Sequence, residues 1–512
     1  MNTAMPKKDA TRKEQNLFVL SGGALAMISF IVGSYFMQYL TEILLIDVGI
    51  AGLIVGLMRA FDAINDPIMG VVVDKTRTRY GRSKPYLIFL PLPLILAALF
   101  IFAPFTPGKS STLVYVIIAY VLYTIAYTMY DIPYWSMTSR MIINPQLRVK
   151  TISRTKMLSN AIGPLAIVLF INLVTILKPY VGSTQAGYFY SLILFAVLAL
   201  PVMLSGGFTF RERVGSIDEK SASLSDSLKA VFSSRPMVVN IVAGLLACVA
   251  SIGGLVMNTY FIKWNMWSLL AKGDSKLVNM LAGTAIDPVA VQGIFTVVIG
   301  IMPTLAAIVG LWLTPMLSNK FSKKDVIIVS GIVGGVINIL AYFLGYSNLV
   351  LFIIVRFIVF VPMGIFNGMF AAIFTDTIDY VHWKSGIRAD GTCFSVLTFL
   401  SKFAGSIASV LAGLMLSLFS FNKNLQTDID TLLSSLAPGE AASQTLIDSV
   451  RAIQQPASAL NGIFIMITIL MGVGQILLVI PYFFSDLTNE KMKVVKTELE
   501  ARAIQEGEDK NE

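Results

Sequence analysis

Long apolar runs, each of about 20 to 31 residues, succeed one another along this 512-residue chain, and they limit its fold more than any other feature does. A helix rises 1.5 Å per residue, so each run is long enough to cross a hydrocarbon core of about 30 Å. About twelve can be read, near 17–45, 50–73, 86–105, 112–139, 152–177, 187–208, 237–266, 290–317, 325–346, 349–375, 391–421 and 459–485. Only 13% of the residues are charged and 55% are apolar, whereas soluble domains carry about 25% charged residues. The expectation is an all-α membrane protein of twelve transmembrane helices. A polar, serine-rich stretch from Arg211 to Arg235 divides it. This gives a six-helix half at 17–208, a central loop at 209–236 and a second six-helix half at 237–485, with tails at 1–16 and 486–512.

The net charge of +9 does not point to nucleic acid, because the basic residues are spread loop by loop and form no single stripe. Lys75, Arg77, Arg79, Arg82 and Lys84 share one loop, Arg140, Arg148 and Lys150 another, and Arg211, Arg213, Lys320, Lys323 and Lys324 two more. By the positive-inside rule these loops and both termini are cytoplasmic, in a bacterial inner membrane. The first run is too long for a secretory signal and stays as helix one. Cys248 and Cys393 fall inside apolar runs, which suggests neither a disulfide framework nor a metal motif. His382, the single histidine, reads as a surface residue of a cytoplasmic loop. There is no nucleophile and base pair, HExxH or phosphate loop, so the chain is not read as an enzyme and needs no cofactor.

Two outer segments, Ser268 to Val289 and Asn422 to Ser458, are long enough for a lid or a partner contact, or are plain solvated insertions. In the tail, Leu487, Met492, Val495 and Leu499 recur at helical spacing, which suits a helix on the inner membrane surface or a solvated one.

The second run, GLMRAFDAINDPIMGVVVDKT, is interrupted by Arg59, Asp62 and Asp66. An ionised side chain near mid-bilayer costs at least about 2.5 to 3.5 kcal/mol, so these groups face protein or a wet cavity. Asp62 and Asp66 are four apart and Asn65 is three beyond Asp62, so all three share one helical face. At about 6 Å and an effective dielectric of about 20, the two carboxylates repel by about 3 kcal/mol. Such a pair attracts a cation. A proton neutralises one carboxylate, or a metal ion bridges both with the Asn65 amide oxygen as a further hard ligand. The competing reading is a static salt bridge from Arg59.

In the fourth run, YTIAYTMYDIPYWSMTSR, Tyr127, Thr128, Asp131 and Trp135 form a polar stripe with an aromatic platform. A carboxylate for hydroxyls beside an indole face for ring carbons is the chemistry of a sugar site, although Trp135 also suits an interfacial belt. Thr128 offers the cation another oxygen. In the eleventh run Lys402, one turn after Thr398, needs an anionic partner or water. Asp62, Asp66 and Asp131 are the available anions, and snorkelling to an interface is the bland alternative.

RAFDAINDPIMGVVVDKTRTRYGRSKP, YTMYDIPYWS, FTDTIDYVHWKSGIRADG and SVLTFLSK occur in order, and together they resemble the signatures of the glycoside-pentoside-hexuronide cation symporters. The resemblance runs from Leu17 to Phe484 and implies the major facilitator fold. It implies a cation site at Asp62, Asn65, Asp66 and Thr128, and sugar contacts or coupling at Tyr127, Asp131, Trp135, Thr398 and Lys402. Asp74, Arg77, Arg79, Gly81 and Arg82 resemble the family's inner loop motif, with Arg59, Asp376, Asp379 and Arg388 as further gating residues.

The first run, SGGALAMISFIVGSYF, lacks the acidic residue that helps the family's melibiose carriers hold galactosides. Arg154 and Lys156 lie near the family's sugar-contacting arginine, and Asn367 stands at a tryptophan position. A pocket with Lys156 suits a different glycoside or a uronide. The implied function is symport of a sugar with sodium, a proton or lithium, by a protein acting as a monomer in the bilayer. Movement of a lysolipid or other amphiphile by the same fold, and a transporter-like solute sensor, stay open as rivals.

Overall fold

The computed structural model describes residues 9–76, 78, 80–105, 108–142, 145–213, 224–386, 390–434, 436 and 442–508. They form helix after helix, since in lipid every backbone polar group must be satisfied within its own segment. α1 (Arg12–Gln38) continues through a π-helical turn (Tyr39–Ile43), and α2 (Val48–Lys75) follows. α3 (Lys84–Phe89) and α4 (Pro91–Ile101) share the third run, and α5 (Lys109–Met141), α6 (Pro145–Val181) and α7 (Thr184–Thr209) are unbroken. α8 (Leu224–Phe232) lies in the central polar stretch. Next come α9 (Arg235–Ile252), α10 (Leu255–Tyr260), a π turn (Phe261–Asn265), α11 (Met266–Lys272) and α12 (Lys276–Ala282). α13 (Pro288–Phe295), a π turn (Thr296–Gly300) and α14 (Met302–Lys320) precede α15 (Lys323–Leu344), α16 (Leu349–Ser385) and α17 (Asp390–Leu418). The chain closes with α18 (Leu425–Leu433), α19 (Gln444–Ala452), α20 (Ala457–Ile465), a π turn (Met466–Leu470), α21 (Met471–Phe483) and α22 (Asn489–Glu508).

Among the described residues, eleven helical stretches are long and apolar enough to cross a membrane. The expected third span is the exception. Pro91 and Pro93 cannot donate backbone hydrogen bonds and clash with the preceding turn, so the run breaks at Leu90 and leaves the 11-residue α4. Helix starts are written in the sequence. Thr11 and Glu14 form a capping box, and Asp47, Ser183, Asp287 and Asn348 each accept a backbone N–H of the turn they open.

Two compact units result: 1–218 with 258–301 and 413–460, and 219–257 with 302–412 and 461–512. In the first, α1 is packed against α6, and a Cβ at Gly163 of α6 would meet the Phe30 ring at 2.7 Å. Tyr35, Tyr39, Phe102, Phe170 and Tyr188 form an aromatic cluster there, with Tyr35 Oη donating to the Ile167 carbonyl at 3.0 Å. In the second unit α15 and α21 touch backbone to backbone: a Cβ at either Gly335 or Gly472 would lie 2.6 Å from the other's carbonyl oxygen. Small residues permit such close packing where lipid supplies no hydrophobic drive.

Three local expectations change. The apolar stripe of the tail helix is covered by protein: Leu487, Met492 and Val495 are buried in the core of the second unit, with Leu499 packed beside them. The segments 268–289 and 422–458 fold against each other, with Ser268 Oγ donating to Gln454 Oε1 at 3.2 Å and Arg451 Nη2 to the Gly283 carbonyl at 2.9 Å. His382 sits in the last turn of α16 and not in a loop, because the helix continues to Ser385 before Gly386, at φ 69°, ends it in the left-handed conformation.

Candidate functional site

α2 presents Arg59, Asp62, Asn65 and Asp66 on successive turns, and α5 packs beside it. The buried Thr128 of α5 lies between the two carboxylates. Its Oγ1 is 3.1 Å from Asp62 Oδ1 and 3.3 Å from Asp66 Oδ1, so its one proton serves either acid. Asp62, Asn65 and Asp66 are half-buried. The Asn65 Nδ2 is buried and has no hydrogen-bond partner among the described residues. Because amide nitrogen and oxygen are assigned from their partners, a flipped Asn65 turns its oxygen to the same place. Two carboxylates, a hydroxyl and an amide form a set of hard oxygen donors, suited to an alkali cation or a proton and not to a soft transition metal.

One turn further along α5, Trp135 Nε1 donates to Asp131 Oδ1 at 3.0 Å. The indole is set edge-on by Tyr134, 5.2 Å between centroids, and by Phe18, 6.4 Å away. Tyr134 is itself fixed, since its hydroxyl donates to the Phe18 carbonyl at 2.7 Å and its ring stacks on Phe18. Tyr127 packs on Tyr123, which meets Tyr120, so an aromatic ladder leads along the helix from the carboxylates. Asp131 and Trp135 are both half-buried. A carboxylate beside a braced indole ring can accept hydrogen bonds from hydroxyls and cover apolar ring carbons.

The other expected substrate residues lie on other helices. Lys156 is exposed on α6, and its neighbour Arg154 donates to Asn16 Oδ1 at 3.0 Å. Asn367 and Thr398 are exposed and Lys402 half-buried, all three in the second unit.

Among the expected gating residues, Arg77, Arg79 and Arg388 lie outside the described residues, and Asp74 falls in the last turn of α2. The backbone N–H of Arg82 donates to Glu212 Oε2 at 3.0 Å, while Ser83 and Lys84 donate to Oε1 at 2.7 and 3.0 Å. Gly81 has φ 113°, and a Cβ there would lie 2.5 Å from the Glu212 carboxyl carbon. Only glycine suits both demands. Asp376 is buried and ion-paired to Lys323 at 2.6 Å and to Lys496 at 3.2 Å, with Asp379 half-buried one turn on.

Sequence reasoning passed over other charged groups in the apolar runs and in the segments that join them. Glu42 and Lys263 form a buried ion pair in the first unit. Lys178 pairs with Asp287 and, at 2.9 Å, with Asp430 of α18, fastening the 422–458 segment. Arg356 is buried in α16, where it donates to the Ile467 carbonyl at 3.0 Å in the π turn before α21. The same insertion cost that singled out Asp62 was available at Arg356, which lies inside its run.

A family model described as MFS/sugar transport protein matches residues 17–489. Among curated relatives, the isoprimeverose transporter of Lactiplantibacillus pentosus is 27% identical over 417 residues, which span 79% of this chain and 80% of the relative. The glucuronide carrier protein homolog of Escherichia coli strain K12 is 23% identical, covering 77% and 81%. Among solved structures, a bacterial homolog of the human lysosomal transporter Spinster, inward-facing and occupied, superposes with a TM-score of 0.61 at 14% identity, over 94% of this chain and 96% of that one. That likeness concerns the fold alone.

Proposed function

We propose, from the premise that this chain belongs to the MFS/sugar transport protein family, the glycoside-pentoside-hexuronide cation symporters, that it couples entry of a glycoside to entry of sodium or a proton. The family comprises membrane transporters and not enzymes. The observation that carries the reading is Thr128 Oγ1 set between Asp62 and Asp66, within the helix that also bears Asp131 and Trp135. One face of α5 thus serves both ligands. A cation bridging Asp62 and Asp66 relieves their repulsion and fixes Thr128 on α5. Asp131 and Trp135, one and two turns on, are thereby held for the sugar.

The linkage is reciprocal: the factor by which sodium tightens sugar binding is the factor by which sugar tightens sodium binding. The glycoside class is supported by the relatives, one a transporter of isoprimeverose and one a glucuronide carrier homolog. In this reading α3 and α4 together make the twelfth crossing of two six-helix halves. Both termini are cytoplasmic in an inner membrane, and the monomer suffices.

Uptake of labelled isoprimeverose, melibiose and methyl glucuronide into vesicles, with sodium and pH gradients imposed separately, tests it. The expected result is concentrative uptake of at least one glycoside under one gradient, lost in Asp66→Asn. Sugar affinity indifferent both to sodium and to pH would overturn the coupling.

A further inference from the structure

A second polar cluster lies in the first unit, where α1 ends in its π turn. Glu42 is 1% exposed. Its Oε2 accepts from Lys263 Nζ and, at 3.1 Å, from Gln38 Nε2, and its Oε1 accepts from Trp264 Nε1 at 2.6 Å. Gln38 and Gln292 exchange side-chain hydrogen bonds at 3.2 and 3.0 Å, and the hydroxyls of Thr41 and Tyr260 meet at 2.6 Å. All of these residues are buried. The Lys263 ammonium also stands 5.0 Å from the Trp264 ring centroid.

As mere adhesive this arrangement is a poor choice, because well-packed apolar groups commonly replace a buried ion pair at no loss of stability. Three observations point to a ligand instead. The pairing of an indole N–H with a carboxylate repeats the Trp135 and Asp131 arrangement. The set of Glu, two Gln, Trp, Tyr and Thr is what a hydroxylated ring calls for: donors, acceptors and an aromatic face together. Finally, the segment bearing Lys263, Trp264 and Gln292 is bounded by helix interruptions at Gly253–Gly254 and Ile301, and it contains two π turns. Such register changes mark places where helices yield.

We propose that Gln38, Glu42, Lys263 and Trp264 are a second contact site for a polyhydroxylated solute, closed upon itself in this conformer and opened when the 258–301 segment leaves α1. The inference rests on the sugar-transport reading and adds a site to it. Opening leaves Glu42 short of donors and Lys263 short of an acceptor. Adjacent ring hydroxyls restore both, one donating to the carboxylate and its neighbour accepting from the ammonium. An apolar solute restores neither and leaves two charges unsatisfied, so the site selects for hydroxyls.

The test is equilibrium exchange of whichever labelled glycoside the wild-type protein carries, measured against concentration in proteoliposomes. Trp264→Phe keeps the ring and removes the donor. The double variant Glu42→Gln, Lys263→Gln removes both charges and leaves neither orphaned, so it keeps the test alive if a single charge variant fails to fold. Both raise KM, by about tenfold for one lost charge-assisted hydrogen bond, and lower Vmax by a smaller factor. A changed Vmax at wild-type KM means a latch that never touches solute and overturns the proposal, as does wild-type behaviour of the double variant. If the wild-type protein exchanges no glycoside, the transport reading fails and this site with it. If it does and neither variant moves KM, the second site alone fails.

Discussion

Lys496 Nζ of the terminal helix lies 3.2 Å from the Asp376 carboxylate of α16, which Lys323 grips through its other oxygen at 2.6 Å. One buried acid therefore ties α22 and the start of α15 to the same turn of α16. The Lys496 side chain is 52% exposed and the Lys323 side chain 30%, and screening leaves the more exposed pair little strength, about 0 to 1 kcal/mol. Lys496→Ala should loosen α22 slightly, and Asp376→Asn should loosen it more while also freeing Lys323. Hydrogen exchange of the amides in 489–499 reads both effects, and equal protection in the two variants would contradict this order.

The approach to that helix titrates at both ends of the pH scale. Burial by itself raises the Asp486 carboxyl, but the hydrogen bond from Lys491 at 2.6 Å and its charge hold it below the usual carboxylate range. Lys491 is raised, chiefly by the same hydrogen bond, against a smaller effect of burial. A depressed acid stabilises above its unfolded value, about 3.9, and that contribution goes as pH falls through its folded value. A raised lysine stabilises below about 10.4 and loses this as pH climbs past its folded value. Docking of α22 should thus be flat between about pH 5 and 9 and weaken at both extremes. Asp486→Asn should abolish the acid limb in a thermal-unfolding series.

Trp135→Phe leaves the ring braced by Tyr134 and Phe18 and removes only the donor to Asp131. The expected cost is about 1 to 1.5 kcal/mol of sugar binding, roughly tenfold in KM. Affinity for the proposed coupling cation, measured without sugar, should stay as it was.

Thr128→Val keeps the volume and deletes the hydroxyl shared by Asp62 and Asp66. In the proposed symport, activation of uptake by the coupling cation should shift to about tenfold higher concentration. Unchanged activation with a lowered melting temperature would make the hydroxyl structural.

Glu212 receives three backbone N–H groups from residues 82–84. Glu212→Ala strands these donors and should cost about 2 to 3 kcal/mol, visible as a lower thermal midpoint in detergent. Gly81→Ala should lower it too, because φ 113° is strained for alanine and the Cβ meets the carboxylate.

Charges within long apolar runs made α2 and α5 legible. Asp62, Asn65 and Asp66 share a face by spacing alone, and the Asp131 and Trp135 contact is an i, i+4 pair on one helix. Glu42 and Lys263 escaped because each lies near the end of its run, where a charge reads as an interfacial residue, and their partnership spans 221 positions that no local period encodes. Arg356 is satisfied by a carbonyl in a π turn, a feature that hydropathy does not reveal. The tail's apolar stripe was plain, yet a stripe does not say whether lipid or protein will cover it. In the third run hydropathy marked a span while Pro91 and Pro93 marked the break, and the prolines prevail because the missing donors and ring clashes are local and unavoidable.

Gly335 and Gly472 have a mechanical corollary. A Cβ on either residue would stand 2.6 Å from the other's carbonyl oxygen. A shift that carried Met471 or Val473 of α21, or Val336 of α15, into the contact would therefore drive its side chain into a carbonyl group, Gly334 alone being as small. Sliding along this seam is blocked, so α15 and α21 travel as a single strut in any rearrangement, and the bending of the transport cycle has to be absorbed by other joints.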